Sequence, residues 1–406
     1  MTNYGPTAES ERHLILDVVR GLALMGIALA NYPEFSLWTF LLPDAQAAMP
    51  SASVDRVVRY LQFAFVDGKF YSIFSILFGV GFSLVLMRRG RRLFVRRMFI
   101  LAAIGLLHLL FVWSGDILLL YAVGGLFLVL LPTGGSVRTD RRLLILAISL
   151  IMLPVGLDAL TEFCGVDFAG PFYRQWWSAA EARGITEQNF ASWLRDADNY
   201  PAMFAFLEQG ACERMWEMVD GHRVPKVIGL FILGYLIGRE KLYARLHELP
   251  LKKVFWRSFT ISLPLSLIYG WSVVGGHPWG LTVNSLLYAV SVVPMALSYV
   301  AAVCLVYQRW PHARIFPVLA APGRLALTCY LCQSFIGILL FYGIGFGLGT
   351  TFGYVHAELT ALAVFVVEVC FSRLWLRPFR FGPFEWIWRM LTYGRRFSLR
   401  RETEEK

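Results

Sequence analysis

The sequence predicts an all-α integral membrane protein with about ten transmembrane helices. Of its 406 residues, 57% are hydrophobic and only 16% are charged, whereas soluble domains average about 45–50% apolar and about 25% charged residues. Apolar runs of about 20 residues, the length that crosses a bilayer as a helix, recur along the whole chain. These runs do not alternate polar and apolar residues as the strands of a membrane β-barrel do, so we expect helices.

The apolar runs give the predicted spans in order. They cover residues 14–32, 69–87, 94–113, 117–132, 143–160, 224–239, 255–274, 282–306, 324–346 and 357–376. No small-residue cleavage site follows the first run, so we expect it to remain as a span rather than be removed as a signal peptide. The stretch from Leu93 to Leu131 is too long for one span, and Gly115 and Asp116 are turn formers. We therefore predict a turn at residues 113–116, with Asp116 near a membrane face.

The Lys and Arg residues predict the orientation of these spans. The segment 88–97, RRGRRLFVRR, holds six Arg, and the termini and alternate loops hold more. Together they place 28 of the 38 Lys and Arg residues on one side, which the positive-inside rule identifies as the cytoplasm. Both termini are then cytoplasmic, and the protein is expected in a bacterial inner membrane. The net charge of +10 indicates contact with anionic lipids and no nucleic-acid partner.

The chain divides into four regions by hydropathy and charge. Residues 1–157 form an N-terminal bundle of five spans that holds the candidate site, and residues 224–380 form a second bundle of five. Between them, residues 158–223 hold eleven acidic and five basic residues, which predicts an outer cap of one or two short interfacial helices. Residues 381–406 combine Trp and Arg as an amphipathic interfacial helix does, followed by a cytoplasmic tail.

The ionisable residues at membrane depth are the candidate functional residues, because burying charge in lipid is costly. His108 is the candidate general base, since an imidazole exchanges a proton near neutral pH. Asp116 or Asp67 would orient or tune it, and Lys69 would stabilise a developing oxyanion. Each also has a structural interpretation: an interhelical hydrogen bond for His108, a turn or helix cap for Asp116, and a solvated ion pair for Asp67 and Lys69.

A second group of charges lies on the predicted cytoplasmic side. Asp17 and Arg20 are three residues apart and share one helix face, so they can pair; a purely structural pair is the alternative. Arg20 and the segment containing Arg88, Arg89, Arg91 and Arg92 suit a phosphate-rich ligand, because guanidinium groups bind phosphate well. Glu368, in the last span, is expected to pair with an Arg from a neighbouring span.

The six cysteines predict no metal centre. Cys329 and Cys332 form a CxxC within a predicted span, without a second pair or a nearby histidine, so we interpret them as small packing residues. Cys164 and Cys212 share the predicted outer cap, where a disulfide between them is left open.

Several motifs give the chain a resemblance to a known family. They are LDVVRGLALMGIALAN (16–31), VDGKFYSIFSILFGVGF (66–82), GLLHLLFVWSGDILLLYAVGGL (105–126), GRLALTCYLCQS (323–334) and FGPFEWIWRMLTYGRR (381–396). In this order they resemble the YeiB-like family of bacterial multi-pass membrane proteins, and the second half resembles the domain of unknown function that defines it. That family is similar to the transmembrane acyltransferases, including the heparan-α-glucosaminide N-acetyltransferases, through a charged first span with Asp17, Arg20 and Gly21.

The resemblance implies an acyltransferase that takes an acyl group from cytoplasmic acyl-CoA and passes it to an acceptor on the other face or in the membrane. The acceptor would be a sugar, a lipid or a small molecule. The heparan enzymes carry a histidine in the loop after the first span, but residues 32–68 contain none here, so His108 is the nearest chemical substitute. Two alternatives stay open: a transporter of a small or amphiphilic anion, and a non-enzymatic binding or scaffold protein. Whether the protein forms a homodimer is left open too.

Overall fold

Residues 13–132 and 136–401 are described in the computed structural model, apart from the side chain of Arg88. This part of the chain folds into seventeen α-helices, joined by turns and three short 3-10 segments, and contains no β-strand. The helices are α1 Leu14–Phe35, α2 Pro43–Ala47, α3 Ala52–Phe65, α4 Lys69–Arg89, α5 Arg91–Phe111, α6 Leu118–Leu128, α7 Val137–Cys164, α8 Gly170–Glu181, α9 Phe190–Asp196, α10 Tyr200–Asp220, α11 Arg223–Arg239, α12 Leu251–Val274, α13 Gly280–Arg309, α14 Ile315–Arg324, α15 Ala326–Phe341, α16 Tyr354–Trp375 and α17 Pro383–Tyr393.

The helices confirm the all-helical, membrane-type fold. Within the described residues, six segments are long and apolar enough to cross a bilayer, or seven if the bent pair α14–α15 counts as one span. The six are Leu14–Phe35, Ala52–Met87, Arg91–Phe111, Val137–Cys164, Gly280–Arg309 and Tyr354–Trp375. Every predicted span falls on helix, but α6 has only 11 residues and α11 only 17. The count of ten therefore stays a prediction.

The ninth predicted span, 324–346, is not one continuous helix. The axes of α14 and α15 meet at 78°, and the backbone N–H of Leu325 donates to the Pro322 carbonyl at 2.9 Å where the chain turns. The start of α15 is capped by a carboxylate from α17, because the N–H groups of Leu327 and Thr328 donate to Glu385 Oε1 at 2.7 and 3.0 Å. A helix start inside the bundle thus has its otherwise unpaired donors satisfied.

Glycines allow the central helices to cross in backbone contact. A Cβ built on Gly21 of α1 would lie 1.9 Å from the Leu319 carbonyl oxygen of α14, and one on Gly323 would lie 1.9 Å from the Asp17 carbonyl oxygen. Gly79 of α4 meets α11 in the same way, 2.1 Å from the Phe231 carbonyl oxygen. Small residues at helix crossings permit this close packing in membrane proteins, so α1 and α4 lie at the centre of the bundle.

The acidic central segment folds into three helices, α8 to α10, rather than the one or two expected. They share a buried cluster with the ends of α1 and α15 that includes Phe35, Trp113, Trp176 and Phe341. Trp176 stacks on Trp216 at 4.8 Å between ring centroids. The cap therefore has a core of its own and covers one end of the bundle, which we call the cap end. The thiols of Cys164 and Cys212 are free.

The opposite end of the bundle carries the arginines of the segment 88–97 and the helix α17, and we call it the arginine-rich end. Helix α17 packs against α5 and α15. The indole of Trp388 donates to the Arg97 carbonyl at 3.2 Å, and the Arg97 guanidinium lies 3.9 Å from the centroid of that indole ring. The helix predicted as a surface anchor thus also closes this end of the bundle.

Candidate functional site

Two cavities enter the bundle from its opposite ends. The cavity at the arginine-rich end has a volume of about 330 Å³ and the cavity at the cap end about 520 Å³. Helix α4 runs from one to the other, with Tyr71 lining the cap-end cavity and Arg89 lining the arginine-rich cavity. Three residues, Ile27, Ile117 and Tyr330, line both. The two cavities therefore meet end to end at a wall formed by these three side chains, which we call the shared wall.

The cavity at the arginine-rich end is strongly basic. Its arginines come from α1, α4, α5, α14, α17 and the segment before α17: Arg20, Arg89, Arg97, Arg324, Arg380 and Arg389. The carboxylates lining it are Asp17 and Glu385. Asp17 accepts from the Arg20 guanidinium at 2.7 Å, and Glu385 is committed to the start of α15. Burial raises the pKa of Glu385, while its hydrogen bonds from Thr328 and Leu327 act in the opposite direction. The electrostatic character of this cavity is that of an anion site.

The predicted phosphate ligands fall into three groups. Asp17, Arg20 and Arg89 line the arginine-rich cavity, and Arg20 also donates to the Gly323 carbonyl at 3.2 Å. Arg91 and Arg92 are exposed and lie outside its lining, and Arg91 donates instead to the Leu131 carbonyl. The side chain of Arg88 lies outside the described structure. Sequence reasoning missed the arginines at 97, 324, 380 and 389, which lie far apart in the chain and meet only in the fold.

The cavity at the cap end is richer in ionisable groups of both signs. Its carboxylates are Glu34, Asp67, Asp158, Asp167 and Asp220. Its bases are Arg214, Arg223, Lys226, His222 and His277. Burial raises the pKa of Asp220. Nearby carboxylates raise this pKa further, whereas His222 and Arg223 lower it. The cavity offers paired charges and hydrogen-bonding groups to a polar ligand.

His108 lies beside the shared wall but lines neither cavity. Its Nδ1–H donates to Asp116 Oδ2 at 2.9 Å, and in the neutral imidazole Nε2 accepts from the Ser334 hydroxyl at 3.0 Å. The side chains of His108, Asp116 and Ser334 are all buried. The His108 ring packs against Tyr330, with 5.5 Å between centroids. The structure brings two predicted residues together and adds Ser334, one helical turn from Tyr330; the role of His108 as a base stays a prediction.

Asp116 is fully buried; its position near a membrane face stays a prediction. The turn that carries it is held from the cap, because the Arg214 guanidinium donates to the carbonyl of Asp116 at 2.7 Å and to that of Gly115 at 3.2 Å. Asp116 also caps α6, accepting from the Leu119 N–H at 2.8 Å. Helix α10 of the cap therefore contacts this turn through Arg214.

The side chains of Asp67 and Lys69 lie in different surroundings. Asp67 lines the cap-end cavity and accepts from the Tyr269 hydroxyl at 2.9 Å. Lys69 is fully buried, donates to the Phe63 carbonyl at 2.7 Å and does not line the cavity. Neither residue contacts His108, so the structure does not assemble the four predicted catalytic residues into one site.

Glu368 has a different partner from the one expected. Its carboxylate accepts from the side-chain amide of Gln333 at 2.9 Å, rather than from an arginine. Cys329 lies in the hydrophobic core with its Sγ 3.6 Å from the Ser372 hydroxyl. This buried polar layer belongs to the packing of α15 against α16.

A second histidine–aspartate pair, missed by the sequence analysis, lines the cap-end cavity. His222 Nε2–H donates to Asp158 Oδ1 at 3.0 Å, and the Ser285 hydroxyl donates to Asp158 Oδ2. These residues come from the α10–α11 junction, α7 and α13. Sequence position gave no sign of the pair, since 64 residues separate the two members.

Comparison with known proteins places the chain among bacterial relatives of the same length. A family described as "Protein of unknown function (DUF418)" matches residues 237–395. The chain is 30% identical to the uncharacterized protein YeiB of Escherichia coli, over 94% of this chain and 96% of that protein. It is 28% identical to the uncharacterized protein YxaH of Bacillus subtilis, over 97% of both chains.

Proposed function

This chain belongs to the YeiB-like DUF418 family, and we propose that it is a transmembrane acyltransferase. The donor is an acyl-CoA bound at the arginine-rich end, and the acceptor binds in the cap-end cavity. The observation that carries this proposal is the shared wall of Ile27, Ile117 and Tyr330, where two cavities of opposite access meet. Transfer of a group between two compartments needs such a meeting point, because the donor and the acceptor approach from different sides.

The arginine-rich cavity supports a thioester donor with a phosphorylated end. A cavity of about 330 Å³ accommodates the narrow, acyl-bearing arm of coenzyme A rather than the whole molecule with its nucleotide. The phosphates would then lie among the arginines while the acyl group reaches inward. Arg380 and Arg389, beside the Phe381 ring, would contact the phosphates. Guanidinium groups are suited to that contact through paired hydrogen bonds.

Tyr330 is the polar residue of the shared wall. Its hydroxyl lies 3.3 Å from the donating N–H of Ile117, and its ring is braced by His108. We assign Tyr330 the role of donating a hydrogen bond to the carbonyl oxygen of the thioester as negative charge develops there. His108, Asp116 and Ser334 then act as positioning residues that fix Tyr330 and the start of α15.

The reaction is a direct acyl transfer. The acceptor hydroxyl or amine attacks the thioester carbonyl, the new C–O or C–N bond forms, and the C–S bond breaks. The acceptor gives up its proton to water in the cavity, and coenzyme A leaves as a thiolate that takes up a proton from water, so that the net products are the acylated acceptor and free coenzyme A thiol. No oxidant or reductant is required.

We also propose the topology that this function needs. The chain crosses a bacterial inner membrane ten times with both termini in the cytoplasm, so that the arginine-rich end faces cytoplasmic acyl-CoA. The positive-inside distribution of Lys and Arg supports this orientation. Helices α6, α11 and α12 are the spans that this count adds to the six segments and the bent pair α14–α15 that qualify by length and composition.

An anion transporter is the second candidate. Cations line both cavities, including Arg214, Arg223 and Lys226 at the cap end, and the two cavities have the shared wall in common. A transporter would open this wall alternately to each side and would carry its anion intact. An acyltransferase cleaves its ligand, so release of free thiol separates the two candidates.

Binding of acetyl-CoA to the purified protein in detergent tests the proposal. A ligand that binds only the folded state raises the melting temperature by mass action, so we expect a saturable increase. Arg389→Ala should weaken acetyl-CoA binding about tenfold or more, since hydrogen bonds to charged groups contribute about 1.5–3 kcal/mol.

Arg92→Ala is the matched control, because Arg92 is exposed and lies outside the cavity lining. It should leave the acetyl-CoA affinity unchanged. A folded wild-type protein that shows no shift with acetyl-CoA, or equal losses in both variants, would contradict the proposed donor site.

A further inference from the structure

The cap-end cavity contains one imidazole arranged as a general base requires. His222 lines the cavity, and its Nε2–H is held by Asp158 at 3.0 Å. Asp158 is itself fixed by the Ser285 hydroxyl. This arrangement sets the tautomer, because a neutral imidazole whose Nε2 carries the proton has its lone pair on Nδ1. Nδ1 of His222 makes no hydrogen bond to any residue that the structure describes.

The backbone of His222 supports a functional role. Its φ is +44°, in the left-handed region that residues other than glycine seldom adopt. Such strain persists where the surrounding structure holds it, and it is common at functional sites. Here it turns the chain between α10 and α11 so that the imidazole reaches Asp158 on α7.

The charged groups that line the cavity together with His222 come from several elements. Asp158 lies on α7, Asp220 on α10, Arg223 and Lys226 on α11, and Asp67 in the turn before α4. His222 therefore shares the cavity with groups of both charges.

His108 and His277 are less suited than His222 to act as a general base. His108 has both ring nitrogens engaged and lines neither cavity. His277 lines the cap-end cavity, but among the described residues it has no carboxylate within ion-pair distance. His222 combines access to the cavity, an orienting carboxylate and an open nitrogen.

We propose that His222 is the general base of this protein, a role that rests on the acyl transfer proposed above. As the acceptor attacks the thioester, its proton passes to Nδ1 of His222 while the bond from the acceptor to the carbonyl carbon forms and the C–S bond breaks. The imidazolium, stabilised by Asp158, then returns the proton to water in the cavity. The acceptor class is therefore a neutral hydroxyl or a protonated amine that must lose a proton before or during attack.

Release of free thiol from acetyl-CoA tests the role, with ethanolamine and glycerol as probe acceptors that offer an amine and a hydroxyl. The signal from the protein's own exposed thiols, Cys164 and Cys370, is subtracted. His222→Gly should slow thiol release by about 10²–10⁴-fold, the usual contribution of general acid–base catalysis. Glycine accepts the positive φ without strain, so the variant isolates the imidazole from the backbone.

Added imidazole should restore part of the rate in His222→Gly, since the lost side chain leaves room in the cavity. Asp158→Asn should also slow the reaction, because the amide no longer stabilises the imidazolium. Lys241→Gly is the matched backbone control: Lys241 also has a positive φ, +50°, but it is exposed and lines neither cavity, so its rate should stay at the wild-type level.

The outcomes separate this inference from the proposed function. Acetyl-CoA should raise the melting temperature of wild type, His222→Gly and Lys241→Gly equally. If it does so and His222→Gly turns over like Lys241→Gly, or loses activity that imidazole does not restore, the base assignment is wrong and the donor site stands. If wild-type protein shows no shift, or releases no thiol with either probe, the acyltransferase and its base are both overturned.

Discussion

Two histidine–aspartate pairs lie in this bundle, and their surroundings differ. In the first, His108 is 2% exposed, Asp116 is fully buried, and Ser334 occupies the remaining ring nitrogen. In the second, His222 lines a cavity of about 520 Å³, and one of its ring nitrogens makes no hydrogen bond to the residues that the structure describes. A fully satisfied buried network rigidifies a structure, whereas a half-satisfied imidazole on a cavity wall is available to a ligand. Access to a cavity, rather than depth in the membrane, therefore distinguishes the pair that is suited to catalysis.

The two pairs also differ in what they connect. The His108 pair ties α5, the turn before α6 and α15 together beside the shared wall, and Arg214 links that turn to the cap. The His222 pair joins α7 and the α10–α11 junction with a hydroxyl from α13. We therefore expect substitutions in the first pair to act mainly on stability and substitutions in the second to act mainly on turnover.

The largest contrast should come from removing the aspartate of each pair. Asp116→Ala leaves the Nδ1–H of His108 and the N–H of Leu119 unpaired in the core. Breaking a buried pair in this way costs about 3–5 kcal/mol, so the melting temperature in detergent should fall steeply. Asp158→Ala should cost much less, since the Asp158 side chain is 18% exposed. Equal melting temperatures for the two variants would remove the distinction between a structural and an accessible pair.

The sequence predicted the helical membrane fold because long apolar runs determine it locally. It also selected His108 and Asp116, which lie eight residues apart and meet across one turn. It could not identify the bend between α14 and α15 as a stable helix start, because the carboxylate that caps it, Glu385, lies 58 residues from Leu327. His222, Tyr330 and the scattered arginines depend on tertiary packing in the same way. A polar residue in an apolar run is visible in sequence, but the cavity that gives it access is not.

The serine of each pair gives a smaller contrast. Ser334→Ala leaves Nε2 of His108 without its donor, and a buried unsatisfied group costs about 1–3 kcal/mol. The melting temperature should therefore fall. Thiol release from acetyl-CoA should decrease only as far as the substitution displaces Tyr330. Ser285→Ala should leave the melting temperature nearly unchanged and slow thiol release, because Asp158 loses the group that orients it. If Ser285→Ala instead lowers the melting temperature and Ser334→Ala mainly slows thiol release, the structural and catalytic roles assigned to the two pairs are wrong.

The smallest effect concerns the pH dependence of the cap that holds the first pair. Burial raises the pKa of Glu213 well above its ordinary value, and the neighbouring Glu217 and Glu34 raise it further. Because its pKa in the folded state lies above that in the unfolded state, its contribution to stability is complete below the unfolded value and is lost as the pH rises through the folded value. Glu213→Gln stays neutral, so its melting temperature should fall less than that of wild type as the pH rises.

Glu208→Gln provides the control for this measurement. Glu208 lies on the same helix α10, but its side chain is 43% exposed, so its substitution should leave the pH dependence of the melting temperature as in wild type. Arg214, which follows Glu213 directly, donates to the carbonyl of Asp116. Ionisation of Glu213 should therefore loosen the turn that carries Asp116 before it affects His222. If the melting temperatures of Glu213→Gln and wild type change in parallel as the pH rises, the cap does not transmit its protonation state to the first pair.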